Sequence, residues 1–468
     1  MIAKDLLSKR FLLSNMKSVP RLDDVLAHID SNQDRYLGYV ADLVRRPSIS
    51  AENTGIAECA EYVRQMMQRL GLETKILPTG GNPVVYGECG SPNANRTILF
   101  YNHYDVQPTD PADQWLSKPF EPVVRDGKLY GRGTADNKGT FASRIAALES
   151  VLAVLGDCPV NVKFLVEGEE EIGSPNLALF AEKNREQLKA DAIVWEGSSR
   201  DPSERPAITL GFKGMLSVEL RDTGPKADQH SSKAPIIPNP AWRLVWALAS
   251  MKSADERIQV EGFSDKIRPP SKEMQDLLHR VPFDLQKELD LVGLERLAGS
   301  EDPVEIKKRL FFEPTMTING VNAGYLGRGV KTIVPGAASA KIDIRLVPDQ
   351  DPDDILRKIQ NHLKRHGFGD IEVKALARMC PCRTDPETPI ARTAVKTARE
   401  VYGLEPIVYP NHIASGAMYV ATEILRKPAI SIGAAYYGSA MHSPNEHIRV
   451  GDFILAIKHI AAILLSRF

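Results

Sequence analysis

The sequence predicts an α/β fold: a mostly parallel, twisted sheet flanked by helices, interrupted by an inserted α+β domain. Three observations carry that expectation. Up to residue 206, short apolar runs alternate with helical periodicities, the pattern of parallel strands joined by crossover helices. The rhythm changes near Arg205-Pro206, where longer strand-like segments begin, and it returns after Asp385-Pro386. At 468 residues the chain also exceeds what one hydrophobic core usually serves.

Residues 55–70 place Ile56, Ala60, Val63, Met67 and Leu70 on one helical face, with Gly71 as a stop. Residues 97–101 read as a buried strand, 139–155 as a helix, 162–166 as a strand, 176–188 as a helix and 192–195 as a strand. Residues 208–220 read as one long strand. A helix at 240–252 follows, then a polar, mostly helical stretch to about residue 310. Strands at 338–346 and 370–376 flank a helix at 353–366, which suggests a separate, partly antiparallel sheet. The remainder reads as helix 390–402, strand 406–409, helix 415–425, strand 429–432 and helix 451–467. The simplest organisation is one domain made of residues 1–206 and 385–468, with 207–384 inserted. There is no internal repeat and no low-complexity tract.

The bulk chemistry narrows the function classes. Fifty-nine basic residues stand against 60 acidic ones, and the net charge of -1 argues against a nucleic-acid or polybasic membrane surface. The N-terminal residues carry mixed charge (Lys4, Asp5, Lys9, Arg10) without the continuous apolar core of a secretory signal. Residues 453–465 are interrupted by Lys458 and His459 and read as an amphipathic helix rather than a membrane span. A cytoplasmic protein without membrane or nucleic-acid partners is expected. The five cysteines (Cys59, Cys89, Cys158, Cys380, Cys382) are too few and too scattered for a disulfide framework. Cys380-Pro381-Cys382 lacks a second ligand pair at zinc-site spacing, so free thiols are the better reading.

Acids and histidines concentrate where strands should end. His103 and Asp105 follow the strand at 97–101, and Asp136 precedes the helix at 139–155. Glu167, Glu169, Glu170 and Glu171 follow the strand at 162–166, Glu196 follows 192–195, and His442 follows 429–432. Ligands of α/β sheets bind beyond the strand carboxyl ends. Each residue alone has an ordinary explanation as a surface or capping group. Together, several carboxylates at one crevice would be costly without a compensating cation, and imidazoles mixed with carboxylates suit Zn²⁺ or Mn²⁺.

From about Leu43 onward the sequence resembles the co-catalytic zinc exopeptidases and deacylases. These include carnosinase-type dipeptidases, glutamate carboxypeptidase, aminoacylase, acetylornithine deacetylase and succinyl-diaminopimelate desuccinylase. The resemblance rests on HYDVQP at 103–108, W-x-x-x-PFEPVVRDGKLYGRGTADNKG at 115–139, EGEEEIGS at 167–174, TIVPGAASAKIDIRLVPDQDP at 332–352 and HSPNE at 442–446. It implies two divalent ions per subunit, Zn²⁺ first, with Mn²⁺ or Co²⁺ as alternatives. His103 and Glu196 would hold one ion, Glu171 and His442 the other, Asp136 would bridge them, and the Asp136-Asn137 peptide bond would be cis. Asp105 would orient His103 from its far ring nitrogen. The anchor Ile172-Gly173-Ser174 sets the register that makes Glu170 the general base.

The resemblance further implies that 1–206 with 385–468 is the catalytic metal-binding domain and 207–384 a lid and dimerisation domain. His230 would stabilise the oxyanion from the partner subunit of a homodimer; an exposed loop histidine is its plain alternative. Arg345 would meet a substrate carboxylate, with an ordinary salt bridge as its alternative. Asn239, Thr332, Ser415 and Gly416 are further substrate candidates. The loop His412-Ile413-Ala414-Ser415-Gly416-Ala417 is less glycine-rich than in dipeptidase-like members. The resemblance as a whole implies a small peptide substrate, cleaved by a dipeptidase or carboxypeptidase-like exopeptidase, with an N-acyl amino acid as the alternative. A catalytically dead scaffold dimer is disfavoured because Glu170 and every candidate ligand are present.

Overall fold

The strands Asn161–Glu167, Thr97–His103, Ala192–Trp195 and Ala429–Ser431 lie next to one another and run parallel. Their near-continuous apolar composition follows from burial on both faces. Along Thr97–His103 the period of two sends Ile98 and Phe100 to one core and Leu99 and Tyr101 to the other. The first core is closed by helices Lys138–Leu155, Pro389–Tyr402 and Val450–Leu465, and the second by helix Leu177–Lys183. Val84–Cys89 and Glu73–Leu77 extend one side of this eight-stranded sheet antiparallel. Ala207–Thr209 and Ile407–Tyr409 complete the other side. The mostly parallel α/β layer expected from the sequence is therefore present. This computed structural model describes residues 22–91, 94–466 and 468, so the reading made of the first residues lies outside it.

A second sheet is built from Thr315–Ala323, Ala337–Leu346, Gly211–Thr223 and Glu372–Met379, each antiparallel to its neighbour. Helices Pro240–Met251 and Pro352–Arg365 cover one face, with Leu216, Val218, Leu220, Ile342 and Ile344 packed beneath them. Thr315–Ala323 has no counterpart in the sequence reading. It is an edge strand whose Ile318 and Val321 are about half exposed, so it lacks a clear hydrophobic alternation.

Two sequence expectations are corrected. The strand expected at 208–220 is two strands. Ala207–Thr209 pairs in parallel with Ile407–Tyr409 in the first sheet, whereas Gly211–Thr223 belongs to the second. Buried Leu210 is the junction: its N–H donates to the Tyr409 carbonyl and its own carbonyl accepts from the Thr384 N–H. Gly211 allows the crossing, because a Cβ there would lie 2.1 Å from the Cys382 oxygen. The helix expected at 415–425 is mostly absent. His412–Ser415 is extended and pairs with 212–213, and only the single wide turn Val420–Ile424 is helical. Met418, Val420 and Ala421 are buried as a helical face would be, which is why periodicity misleads there.

The polar helical stretch resolves into helices Lys272–Arg280, Leu285–Val292 and Pro303–Phe312. Met274, Leu278, Phe311 and Phe312 join the same hydrophobic cluster as the helices of the first sheet. This part of the 207–384 segment thus packs back against the larger sheet. Among the described residues no helix is long and apolar enough to cross a membrane.

His459, on helix Val450–Leu465, is buried and donates from Nε2 to the Ala394 carbonyl at 3.0 Å. Burial pushes its pKa from 6.5 down to about 4. Because the unfolded chain binds this proton more readily, His459 contributes stability above pH 6.5 that is lost as pH falls toward 4, roughly 3 kcal/mol in all. A His459→Leu variant is expected to show a correspondingly shallower loss of stability over that window in urea unfolding at pH 6.5, 5.5 and 4.5. Parallel curves for the two proteins would contradict it.

Candidate metal centre

The carboxyl ends of the parallel strands bring the predicted acids and imidazoles together. His103 is fully buried at the end of Thr97–His103, and its Nε2 lies 3.1 Å from Asp136 Oδ1. His442 Nε2 meets the other Asp136 oxygen at 3.0 Å and Glu171 Oε2 at 3.2 Å. Two groups of donor atoms result, His103–Asp136–Glu196 and Asp136–Glu171–His442, each with its atoms within 4.8 Å of one another. Asp136 belongs to both. The Asp136–Asn137 peptide bond is cis.

Asp105 sits where the sequence reading put it, but it does two things. His103 Nδ1 donates to the Asp105 backbone carbonyl at 3.1 Å, with the carboxylate at 3.4 Å. That carboxylate accepts the Glu170 N–H at 3.3 Å and the Glu171 N–H at 3.1 Å. One buried acid thus fixes both the imidazole and the turn Glu170–Ile172. Glu170 lines the same cleft as Asp136, Glu196 and His442. The two additional acids of the run are structural. Glu167 accepts from the Tyr101 and Ser174 hydroxyls, and Glu169 accepts from the Asn82 N–H and the Asn176 amide.

The charge balance of this crevice asks for a cation. Burial, together with nearby acids, pushes Glu196 up to about 8 and Glu170 up to about 7. Hydrogen bonds to Asp136 and Glu171 raise His442 to about 10. His103 is raised as well: burial opposes its charge, but its Asp105 and Asp136 contacts outweigh that. Protons are held where a divalent cation would neutralise the same carboxylates. Imidazole and carboxylate donors around one shared acid fit Zn²⁺, Mn²⁺ or Co²⁺ better than an all-oxygen cation. Among the described residues, neither Cys380 nor Cys382 joins a group able to hold a metal.

Several residues that hold this arrangement were not singled out in the sequence. Glu446 is fully buried, and its carboxylate accepts from Arg132 Nη1 and the Gly133, Ala135 and Asp136 N–H groups at 2.8–3.0 Å. The strand pair of His447–Arg449 with Lys128–Tyr130 delivers it there. Arg144, buried in helix Lys138–Leu155, donates to the carbonyls of Tyr101, Val194, Trp195 and Ile432, clamping three strand ends. It also donates to Asn102 Oδ1 at 2.6 Å. Asn102 then donates to Asn137 and Asn137 to Glu196, a relay ending on a candidate ligand. Gln107 donates to Glu171 Oε2 at 2.9 Å. Asn102, Gln107 and Asn137 flank or lie within the quoted motifs and Glu446 closes HSPNE, so a signal existed. Arg144 has none beyond an arginine in an apolar helix.

The candidate substrate residues divide into two places. Arg345, on Ala337–Leu346, donates to Ser415 Oγ at 2.8 Å and to Asp343 at 2.9 Å, and Gly416 lies against the Phe212 ring. Ser415 in turn donates to the Gly214 carbonyl. His230, Asn239 and Thr332 lie on the second sheet's side and line neither the hollow that Arg345 lines nor the cleft beside Asp136 and Glu170. His230 is exposed and bonded to Ser232, the Ser231 N–H donates to the Thr332 carbonyl, and Asn239 caps helix Pro240–Met251.

Residues 99–466 match the model of a family described as peptidase family M20/M25/M40. The chain belongs to this family. The M20-type chain is 29% identical over 490 residues to the human Beta-Ala-His dipeptidase, covering 98% of this chain and 96% of that one. It is 25% identical to the Cys-Gly metallodipeptidase of Schizosaccharomyces pombe, over 93% of this chain and 96% of that protein. Among solved structures, an M20 family metallo-carboxypeptidase from Sulfolobus solfataricus superposes with a TM-score of 0.85. The two are 38% identical, over 92% of this chain and 99% of that one. The resemblance read from the motifs is thus the family found. These relatives are named for peptide hydrolysis, and the deacylase alternative is not carried forward.

Glu446 gives this M20-type centre its first test. Glu446→Gln removes the buried charge facing Arg132 and turns an acceptor into a donor against backbone amides. It is expected to cost about 3 kcal/mol in the metal-free protein and to weaken divalent-metal affinity about tenfold or more. Denaturant unfolding and a metal titration measure the two effects. Unchanged values in both would mean that the 131–136 loop is held by other contacts.

Proposed function

We propose that this chain is a metal-dependent exopeptidase that hydrolyses a peptide bond in small peptides, as a dipeptidase or carboxypeptidase. The observation that carries the reading is Asp136, shared between two donor groups, with the Glu170 carboxyl in the same cleft. His103 and Glu196 would hold one divalent ion and Glu171 and His442 a second, with Asp136 available to both groups. Zinc is the first choice, with manganese or cobalt as alternatives. Bound there, the ions acidify water and polarise the scissile carbonyl. The chain's own residues do the rest. Glu170 takes a proton from the attacking water and passes it to the departing amine nitrogen. Arg345, oriented by Asp343 and Ser415, receives the substrate carboxylate.

In this reading residues 1–206 with 385–468 make the catalytic domain and 207–384 the lid, except that Ala207–Thr209 and the helices between 272 and 312 pack with the larger sheet. In a homodimer through the lid, His230 of the partner subunit donates a hydrogen bond to the carbonyl oxygen as it becomes an oxyanion. The exposed Trp242 and Trp246 on Pro240–Met251, and Ile318 and Val321 on the edge strand, support such an interface. Thr332 and Asn239 stand near the substrate in the same assembly. Five free cysteines suit a cytoplasmic location.

Zinc-supplemented protein is expected to release amino acids from dipeptides such as β-Ala-His and Cys-Gly or from C-terminally free peptides. A chelator should abolish this and added metal restore it. Glu170→Gln should lower kcat by about 10²–10⁴ while retaining metal. Full activity in Glu170→Gln would remove it as the base. Elemental analysis should give two ions per wild-type chain, fewer in His442→Ala and fewest in Asp136→Asn. Equal content in the three proteins would refute the shared-acid arrangement.

A further inference from the structure

The cleft beside the metal ligands has a volume of about 450 Å³, large for a two-carbon acyl residue and within the usual range of small-molecule sites. Away from the candidate ligands and Glu170, its wall carries six large apolar or aromatic side chains, Phe212, Phe311, Tyr409, Ile413, Tyr437 and Met441. The charged side chains in that wall are engaged elsewhere. Arg200 donates to the Glu204 carbonyl and pairs with Asp452 at 2.5 Å. The Asp201 carboxylate accepts the Ser203 N–H, the Ser203 hydroxyl and the Arg205 N–H, all within its own loop. Asn411 accepts from Arg383 and donates to the His412 carbonyl. Among the lining residues, no carboxylate beyond the metal centre and Glu170 is left to receive a substrate α-ammonium.

The orientation of a peptide follows from Arg345. It lines a neighbouring hollow of about 710 Å³ that shares Ile413 with the first. With the C-terminal carboxylate at Arg345 and the scissile carbonyl at the metal ligands, the residue on the acyl side falls into the apolar cleft. We infer that this cleft selects a bulky apolar or aromatic acyl-side residue and makes no demand for a free α-amine. The chain then acts as a carboxypeptidase on N-blocked or longer peptides in preference to small free dipeptides. This inference rests on the exopeptidase reading of the same site.

The test compares kcat/KM of the full-length, metal-supplemented protein on acetyl-Phe-Ala, acetyl-Gly-Ala, Phe-Ala, Gly-Ala, β-Ala-His and Cys-Gly. Phe is expected to exceed Gly at the acyl position by about tenfold or more, and acetylation to change kcat/KM by less than about threefold. Tyr437→Ala and Met441→Ala, both at exposed positions, should each shrink the Phe-to-Gly ratio, mainly through KM. Preference for Gly, or turnover only of peptides with a free amine, overturns this inference and leaves the exopeptidase reading standing. A Phe-to-Gly ratio unmoved by either variant would also overturn the assignment to this cleft. If no peptide in the panel is cleaved, the exopeptidase reading falls and this inference with it.

Discussion

The structure depends on negative charge concentrated at the carboxyl ends of parallel strands. Asp136, Glu170, Glu171 and Glu196 meet around His103 and His442 in a crevice that water screens poorly. Carboxylates so placed repel one another unless protons or cations intervene, and the raised pKa values of Glu170 and Glu196 record their burial first and that repulsion second. Most neighbouring polar side chains serve this cluster. Asp105 sets the Glu170–Glu171 turn, Glu446 holds the loop that carries Asp136, and Gln107 and Asn137 donate to the outer carboxylate oxygens. A pure ring of acids would be open to hydration. Here the surrounding acids Asp105 and Glu446 are tied to backbone N–H groups, which leaves the cluster's own carboxylates facing the imidazoles and one another.

The two sheets divide the labour through one short crossing. At Leu210 the chain leaves the parallel sheet and immediately starts the long strand of the antiparallel one. His412–Ser415 runs alongside that crossing, so Ser415 reaches Arg345 across the boundary. The helices between 272 and 312 return to the first core and carry Phe311 into the cleft. The wall of the proposed acyl site is thus assembled from both parts of the chain. A change in the angle between the sheets would alter it together with the Arg345 hollow.

Much of the site was legible because its residues are tied to strand ends. An apolar run followed by His103-x-Asp105, by Glu170-Glu171 or by Glu196 places those side chains beyond the sheet whatever the details of packing. The Gly-Ser anchor fixed the register of the acidic run, and Glu167 and Glu169 indeed serve as braces. Less was legible where burial and pairing compete with local pattern. Residues 415–425 carry an apolar spacing suited to a helix, but Ser415 is held extended by its pairing with 212–213. Residues 208–220 look continuous because both halves have strand composition, and nothing local marks the change of sheet at Leu210.

The α/β alternation, the family and the candidate metal-holding acids and imidazoles were legible in the sequence, because these rest on local periodicity and on motifs with fixed spacing. Tertiary structure alone decided that Glu446 and Arg144, distant in sequence, hold the strand ends and the Asp136 loop. It alone joined Arg345 to Ser415 and left His230 out of the lining of the cleft beside Asp136 and Glu170. The physical reason is that a buried charge takes whichever partners the packed chain brings within hydrogen-bond distance. Side-chain type announces the need for those partners, and only the fold supplies them.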